Sequence, residues 1–173
     1  MTVVVRNGRS DDHPQLAALY AAAFPNEHLL PLVDAMLISG DCLASLVAVE
    51  GDSVVGHGLL TGCSVPPNAT RLALLGPLAV LPALQRRGIG TALVHEGLRQ
   101  LAAAEVTRIF VLGDPAYYGR FGFAPEREVE PALPVPPAWR TAWQSLSMPG
   151  AGAVPPGTLS VPSPWRDPSL WGS

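Results

Sequence analysis

Gln85-Arg86-Arg87-Gly88-Ile89-Gly90-Thr91 stands between an apolar stretch that ends at Val80 and an amphipathic one that runs from Gly88 to Ala104. The start of a helix leaves backbone N–H groups without intrahelical partners and carries partial positive charge. Glycines at that point let the donors come up to a phosphate with no side chain in the way, and Arg86 and Arg87 add full charges. The stretch therefore predicts an anion cradle at the entry of a helix. Ile89, Leu93, Leu98 and Leu101 give that helix an apolar stripe, and Arg108–Leu112 returns as a strand, so the loop sits inside a βαβ unit.

Working outward from the loop, Arg71–Val80 reads as the strand before it, interrupted by Gly76-Pro77. Proline cannot donate to a ladder, which predicts an edge or a bulge there. Leu43–Glu50 and Ser53–Thr61 are apolar runs joined by Gly51-Asp52, the chemistry of a tight hairpin. Towards the N-terminus, Thr2–Arg6 reads as a short strand. Ser10, Asp11 and Asp12 supply N-cap chemistry for a helix with Pro14 in its opening turn, ending at Pro25. A second helix is expected from about His28 to Ile38. On the far side of the loop, Asp114-Pro115 caps a short helix through Tyr117 and Tyr118 that Gly119–Phe123 closes.

From Pro125 onward the composition changes: eleven of the nineteen prolines and all four tryptophans lie there, with one strand-like stretch around Trp139–Leu146. Trp139, Trp143, Trp165 and Trp171 are too large and apolar for a solvated tail. The expectation is a single domain over residues 1–173, with 126–173 wrapping onto it.

Length and composition narrow the function. A chain of 173 residues, 48% apolar and 14% charged, affords one substantial core. No apolar run approaches the roughly 20 residues of a bilayer span, and Met1–Ser10 has no apolar segment followed by a cleavage site. The expectation is a cytoplasmic protein with no membrane partner. Cys42 and Cys63 fall in no ligand spacing, so no metal is implied. A net charge of −3 without any Lys/Arg block argues against nucleic acid.

Two other anion motifs compete for the same residues. A Walker loop needs Gly-Lys-Ser/Thr, and this chain contains no lysine. A dinucleotide fingerprint fits better, with Gly88-Ile89-Gly90 after a strand and Asp114 at the end of the next, but its third glycine position is Leu93.

Leu78-Ala79-Val80, then Pro82, then Gln85–Gly90 resembles the acetyl-CoA-binding motif of the GNAT N-acetyltransferases, commonly written Q/R-x-x-G-x-G/A. Tyr118, three residues, then Gly122-Phe123 is similar to the family's terminal Tyr-x-x-x-Gly-Phe element. Leu75–Val80 and Leu112–Phe123 further resemble the YhbS-like predicted acyltransferases within it. The resemblance implies an α/β (α+β) fold, a mixed and mostly antiparallel sheet flanked by helices, with a V-shaped opening between the strand ending at Val80 and the one beginning at Arg108. It implies acetyl-CoA as cosubstrate, with the backbone of Leu78, Ala79 and Val80 holding the pantetheine arm. Gln85, Arg86, Arg87, Gly88, Ile89, Gly90 and Thr91 would hold the pyrophosphate. The acceptor would be a small-molecule or peptide amine, and a homodimer is compatible with the family.

Transfer from a thioester needs an amine nucleophile, polarisation of the carbonyl and a proton for the departing thiolate. A tyrosine, with a phenol that ionises near pH ~10, stays protonated at neutrality and suits an alkyl thiolate. By position in the motif that residue is Tyr118, with Tyr117 as the core neighbour. Two departures stand out: Asp114-Pro115 opens a shorter helix than many members have, and Arg71–Val80 contains no acid to serve as general base. Glu27, His28 and His57 are the nearby candidates, and the base stays unassigned. The alternative from another class is a non-catalytic CoA-sensing or interaction module on the same fold.

Overall fold

The computed structural model describes residues 2–172. Among these residues nine strands form: β1 (Val3–Asn7), β2 (Cys42–Glu50), β3 (Ser53–Val65), β4 (Asn68–Val80), β5 (Arg108–Leu112), β6 (Ala124–Pro125), β7 (Val129–Glu130), β8 (Trp143–Ser147) and β9 (Gly157–Thr158). Four helices accompany them: α1 (His13–Ala23), α2 (Leu30–Leu37), α3 (Ile89–Ala103) and α4 (Pro115–Tyr118). Seven strands share one mixed sheet in the order β1-β2-β3-β4-β5-β8-β6, and β7 pairs with β9. The chain divides into two compact units. One holds the residues up to Leu60 together with Gly76–Leu101, and the other Thr61–Leu75 together with everything from Ala102 onward.

In the first unit β1 lies antiparallel to β2, from Val3 opposite Glu50 to Asn7 opposite Leu46. Leu16, Leu19 and Tyr20 of α1 and Val33 of α2 pack on Val47, Val54 and Ala79. The predicted N-cap chemistry before α1 is used differently. Rather than capping the helix, Asp12 accepts two bonds from the Arg6 guanidinium, both 2.9 Å, and one from the Arg9 N–H at 2.7 Å. A buried carboxylate takes the partner that neutralises it, and the Arg6 bond holds its pKa below the usual range. The product is a clamp from β1 to the turn before α1.

Close approach of helix to sheet sets the height of α3. A Cβ on Gly56 of β3 would lie 3.0 Å from Leu93 Cδ1, 3.1 Å from Ile89 Cγ2 and 3.2 Å from the Ala79 carbonyl oxygen. Ile89 and Leu93 are both in the first half of α3, so this glycine is what lets the N-terminal turns of the helix settle onto the strands.

In the second unit β5 pairs parallel with β4, as the βαβ reading expects, through Leu72–Leu74 opposite Arg108–Phe110. On its other side it runs antiparallel to β8 from Arg108 opposite Ser147 to Leu112 opposite Trp143. The edge reading of Pro77 is corrected by the sheet order, which puts β4 in the interior. An imino nitrogen is tolerated there because the β4–β5 ladder stops at Leu74, and the Gly76-Pro77 peptide, which is cis, falls beyond it.

Three of the four tryptophans build the core of the second unit. Trp143 stacks on Phe110 at 5.4 Å and meets Trp171 edge-on at 5.8 Å, and Trp165 meets Trp171 at 6.1 Å. Each indole N–H is satisfied: Trp143 donates to the Val129 carbonyl, Trp165 to Thr61 Oγ1 and Trp171 to the Trp165 carbonyl. Trp139 departs from the strand reading. It lies in a 3-10 turn over Pro137–Ala142 and is 43% exposed, since consecutive prolines favour a helical first turn over a strand. The strand itself starts four residues later.

Candidate active site

The glycine loop belongs to the first unit. After β4 the chain makes one 3-10 turn, Pro82–Leu84, and the Gln85 side chain reaches back to the Val80 carbonyl at 3.3 Å, closing the turn onto the strand end. Gln85, Arg86, Arg87 and Gly88 are all exposed, whereas Ile89 is buried and anchors α3. Arg86 and Gly88 adopt the left-handed region, with φ of 65° and 84°. That region is natural for glycine and costs a side-chain-bearing residue about 1 kcal/mol. The first intrahelical bond runs from the Ala92 N–H to the Gly88 carbonyl at 3.0 Å, so the N–H groups of Ile89 and Gly90 lead the helix towards the loop. A Cβ on Gly88 would meet nothing within 4 Å. Exposed guanidiniums, a helix start and open space over a glycine suit a diphosphate.

Leu78, Ala79 and Val80 form the last residues of β4, beyond the ladder to β5. Ala79 is buried in the α1 core, while Leu78 and Val80 are half-buried. Thr91 continues the first turn of α3 and is half-buried.

Tyr118 belongs to the second unit and ends α4. Asp114 caps that helix by accepting the Ala116 N–H at 2.9 Å, and the Tyr118 N–H bonds the Asp114 carbonyl at 3.0 Å. Its ring is enclosed by Tyr117 at 5.0 Å and Phe123 at 5.8 Å, both edge-on, and by the bare backbone of Gly113. Burial, with a smaller contribution from Tyr117, pushes the phenol above its ordinary pKa, so the hydroxyl carries its proton at neutral pH. Tyr117 is flanked by the Arg120 guanidinium, 4.8 Å from its ring centre.

The base candidates separate clearly. Glu27 and His28 are exposed in the turn between α1 and α2. His57 is fully buried on β3: Nδ1 pairs with the Tyr20 hydroxyl at 2.7 Å and Nε2 with Ser45 Oγ at 2.8 Å. Burial lowers its pKa to about 4, so it is a neutral core histidine with both ring nitrogens engaged. Sequence spacing could flag His57 but carried no signal for Ser45, because that pairing is made across the β2–β3 hairpin. Gly113 and Gln144 were missed because their pairing is made between the end of β5 and β8.

A second buried polar group lies in the second unit. Glu126 accepts Ser145 Oγ at 2.7 Å and the N–H groups of Glu128 and Val129 at 2.8 and 2.9 Å, with Arg108 at 3.4 Å. Burial raises its pKa, but these four partners outweigh it and hold the carboxyl below its usual value. No group of three or more His, Cys, Asp or Glu able to hold a metal occurs among the described residues. No helix among them is long and apolar enough to cross a membrane.

A mixed sheet with a glycine-gated helix after β4 and a tyrosine turn after β5 defines a class of acyl-transfer folds. The Acetyltransferase (GNAT) family model matches residues 13–123, and the chain belongs to that family. It is 31% identical over 109 residues to the uncharacterized N-acetyltransferase YjhQ of Escherichia coli strain K12, covering 60% of each chain. It is also 31% identical over 113 residues to the uncharacterized N-acetyltransferase YhbS of the same strain, covering 65% of this chain and 68% of YhbS. Among solved structures it resembles a GNAT family acetyltransferase from Brucella melitensis in complex with acetyl-CoA, with a TM-score of 0.78 and 28% identity over 95% of this chain and 99% of that one. The fold also matches Escherichia coli YhbS in complex with CoA, with a TM-score of 0.85 and 24% identity over 99% and 96% of the two chains.

Proposed function

We propose that this protein transfers an acetyl group from acetyl-CoA to a primary amine on a small molecule or peptide. The observation that carries the reading is the loop: two exposed arginines and an unobstructed glycine at the start of α3, in a chain 28% identical to an acetyltransferase held in complex with acetyl-CoA. Arg86 through Thr91, with Gln85 bracing the turn, hold the diphosphate by helix N–H groups and guanidinium charge. The backbone of Leu78, Ala79 and Val80, beyond the β4–β5 ladder, supplies the hydrogen bonds that hold the pantetheine arm.

The amine nitrogen attacks the thioester carbonyl, whose oxygen is polarised by backbone donors. The C–S bond breaks, Tyr118 gives its phenolic proton to the sulfur, and the proton lost by the amine returns to solvent and thence to Tyr118. The burial that raises the Tyr118 pKa keeps the acid loaded. His57 takes no direct part, since both of its ring nitrogens are already bonded in the core.

Two measurements test the reading. Acetyl-CoA should raise the melting temperature whereas NADH and ATP should not, by selective binding to the folded state. Free-thiol release with a panel containing a polyamine, an aminoglycoside, free amino acids and a short peptide should identify an acceptor. Stabilisation by NADH with none from CoA would assign the loop to a dinucleotide, and stabilisation by CoA with no thiol release from any amine would make the protein a CoA-binding module.

A further inference from the structure

We infer that Gly113 is a positioning residue for Tyr118, a glycine kept for the ring that lies on it and not for its own backbone. This deepens the proposed function, since it rests on Tyr118 being the acid. A Cβ at position 113 would lie 2.5 Å from Tyr118 Cε2, 3.0 Å from Cδ2 and 3.5 Å from Cζ. A real Cβ essentially never comes within 2.5 Å of another heavy atom, so the ring or the strand end would have to move. The backbone itself makes no demand for glycine, because Gly113 is not among the positive-φ positions.

Neither side can yield easily. Gly113 is held from behind, its N–H bonded to the Ala142 carbonyl at 3.0 Å and its own carbonyl accepting from Gln144 Nε2 at 3.1 Å. Gln144 is 1% exposed and spans to the Ala142 carbonyl as well, at 3.2 Å, so the strand end is pinned in the core. Phe123 and Tyr117 stand edge-on to the Tyr118 ring. Adding a methyl group at position 113 therefore displaces the phenol, and acid catalysis falls steeply when a proton donor is moved by an ångström.

The test is a cycle of Gly113→Ala, Tyr118→Phe and the double variant, read by turnover with the fastest amine of the panel and by CoA dissociation constant. Gly113→Ala should lower kcat on the order of ten- to a hundredfold with the CoA constant changed less than about threefold, and should add nothing in the Tyr118→Phe background. Equal losses in both backgrounds, or none in the wild type, overturn the assignment. A second readout needs no acceptor. The Tyr118 phenol, isolated by subtracting the ultraviolet titration of Tyr118→Phe, should ionise at lower pH in Gly113→Ala because the displaced ring is less buried. An unchanged titration overturns the seat. If instead Tyr118→Phe alone leaves kcat unchanged while the titration moves, the seat stands and the acid role of Tyr118 falls. Should Gly113→Ala fail to fold, Tyr118→Ala in the same chain should restore folding by removing the clash; failure to restore it excludes the contact as the cause.

Discussion

One buried group from each unit, His57 in the first and Glu126 in the second, is held in the opposite charge state to the other, while the Arg6–Asp12 clamp of the first unit is a charged pair like that of the second. The first encloses His57 neutral, between the hydroxyls of Tyr20 and Ser45, and keeps the charge of its glycine loop on exposed Arg86 and Arg87. The second encloses Glu126 charged, with Arg108, Ser145 and two backbone N–H groups around it, and holds the Tyr118 phenol in a packed seat. A neutral buried group resists pH until a proton is forced on it, while a charged one resists until a partner is removed. The loop residues Gln85 to Gly88 are exposed, so changing them unpacks no core, whereas a ring seated on a glycine leaves no room for a side chain.

The largest effect should come from the charged cluster. Glu126→Ala leaves the Arg108 guanidinium without its carboxylate and uncaps the Glu128 and Val129 N–H groups, a loss on the order of 3–5 kcal/mol in denaturant melts. A loss below about 1 kcal/mol would mean that Arg108 finds water and that the second unit is less closed than its burial indicates. The His57 core predicts a pH effect of similar scale. With its folded pKa lowered to about 4 from 6.5, the unfolded chain binds the extra proton between those values. Stability is therefore lost as pH falls through that window, by about 3 kcal/mol in total. Melts of the wild type from pH 7.5 to 4.5 should show the slope, and His57→Gln should flatten it.

For the functional groups, Tyr118→Phe should lower turnover about a hundredfold or more while changing CoA affinity by about 1 kcal/mol at most. If Tyr117→Phe carries the loss instead, the acid is one residue earlier. Gly88→Val should weaken CoA binding on the order of tenfold and cost about 1–2 kcal/mol of stability, measured by calorimetric titration and thermal melts. Because a Cβ at Gly88 meets no protein atom within 4 Å, the stability cost comes from φ, and the loss of affinity would come from the space the proposed function gives to the diphosphate. Unchanged CoA affinity in a folded Gly88→Val chain would remove the loop from the site.

Much of the fold was legible because its signals are local. The Gly51-Asp52 turn, the stripe of α3, the Asp114 cap and the return strand at Arg108–Leu112 each follow from a few neighbouring residues. The family was legible because two motifs sit in order on the right elements. What could not be read depends on how one segment folds back against another, even over a few residues. Asp12 looks like a cap until Arg6 is brought beside it, and Pro77 looks like an edge until the β4–β5 ladder is seen to stop first. Trp139 looks like strand until the prolines before it set a helical turn. Gly113 looks like a loop glycine until a ring five residues later folds back onto it.

Gly56 offers a handle of a different kind to anyone tuning this protein. Its missing side chain sets how deeply the first turns of α3 sink towards the strands, and so the depth of a loop that begins about thirty positions further along the chain. Alanine there would act as a shim. With neighbours 3.0 to 3.2 Å from the new carbon, the helix start would have to lift by a few tenths of an ångström. On the proposed function, CoA affinity would then be graded from beneath, leaving Arg86 through Thr91 in their native chemistry.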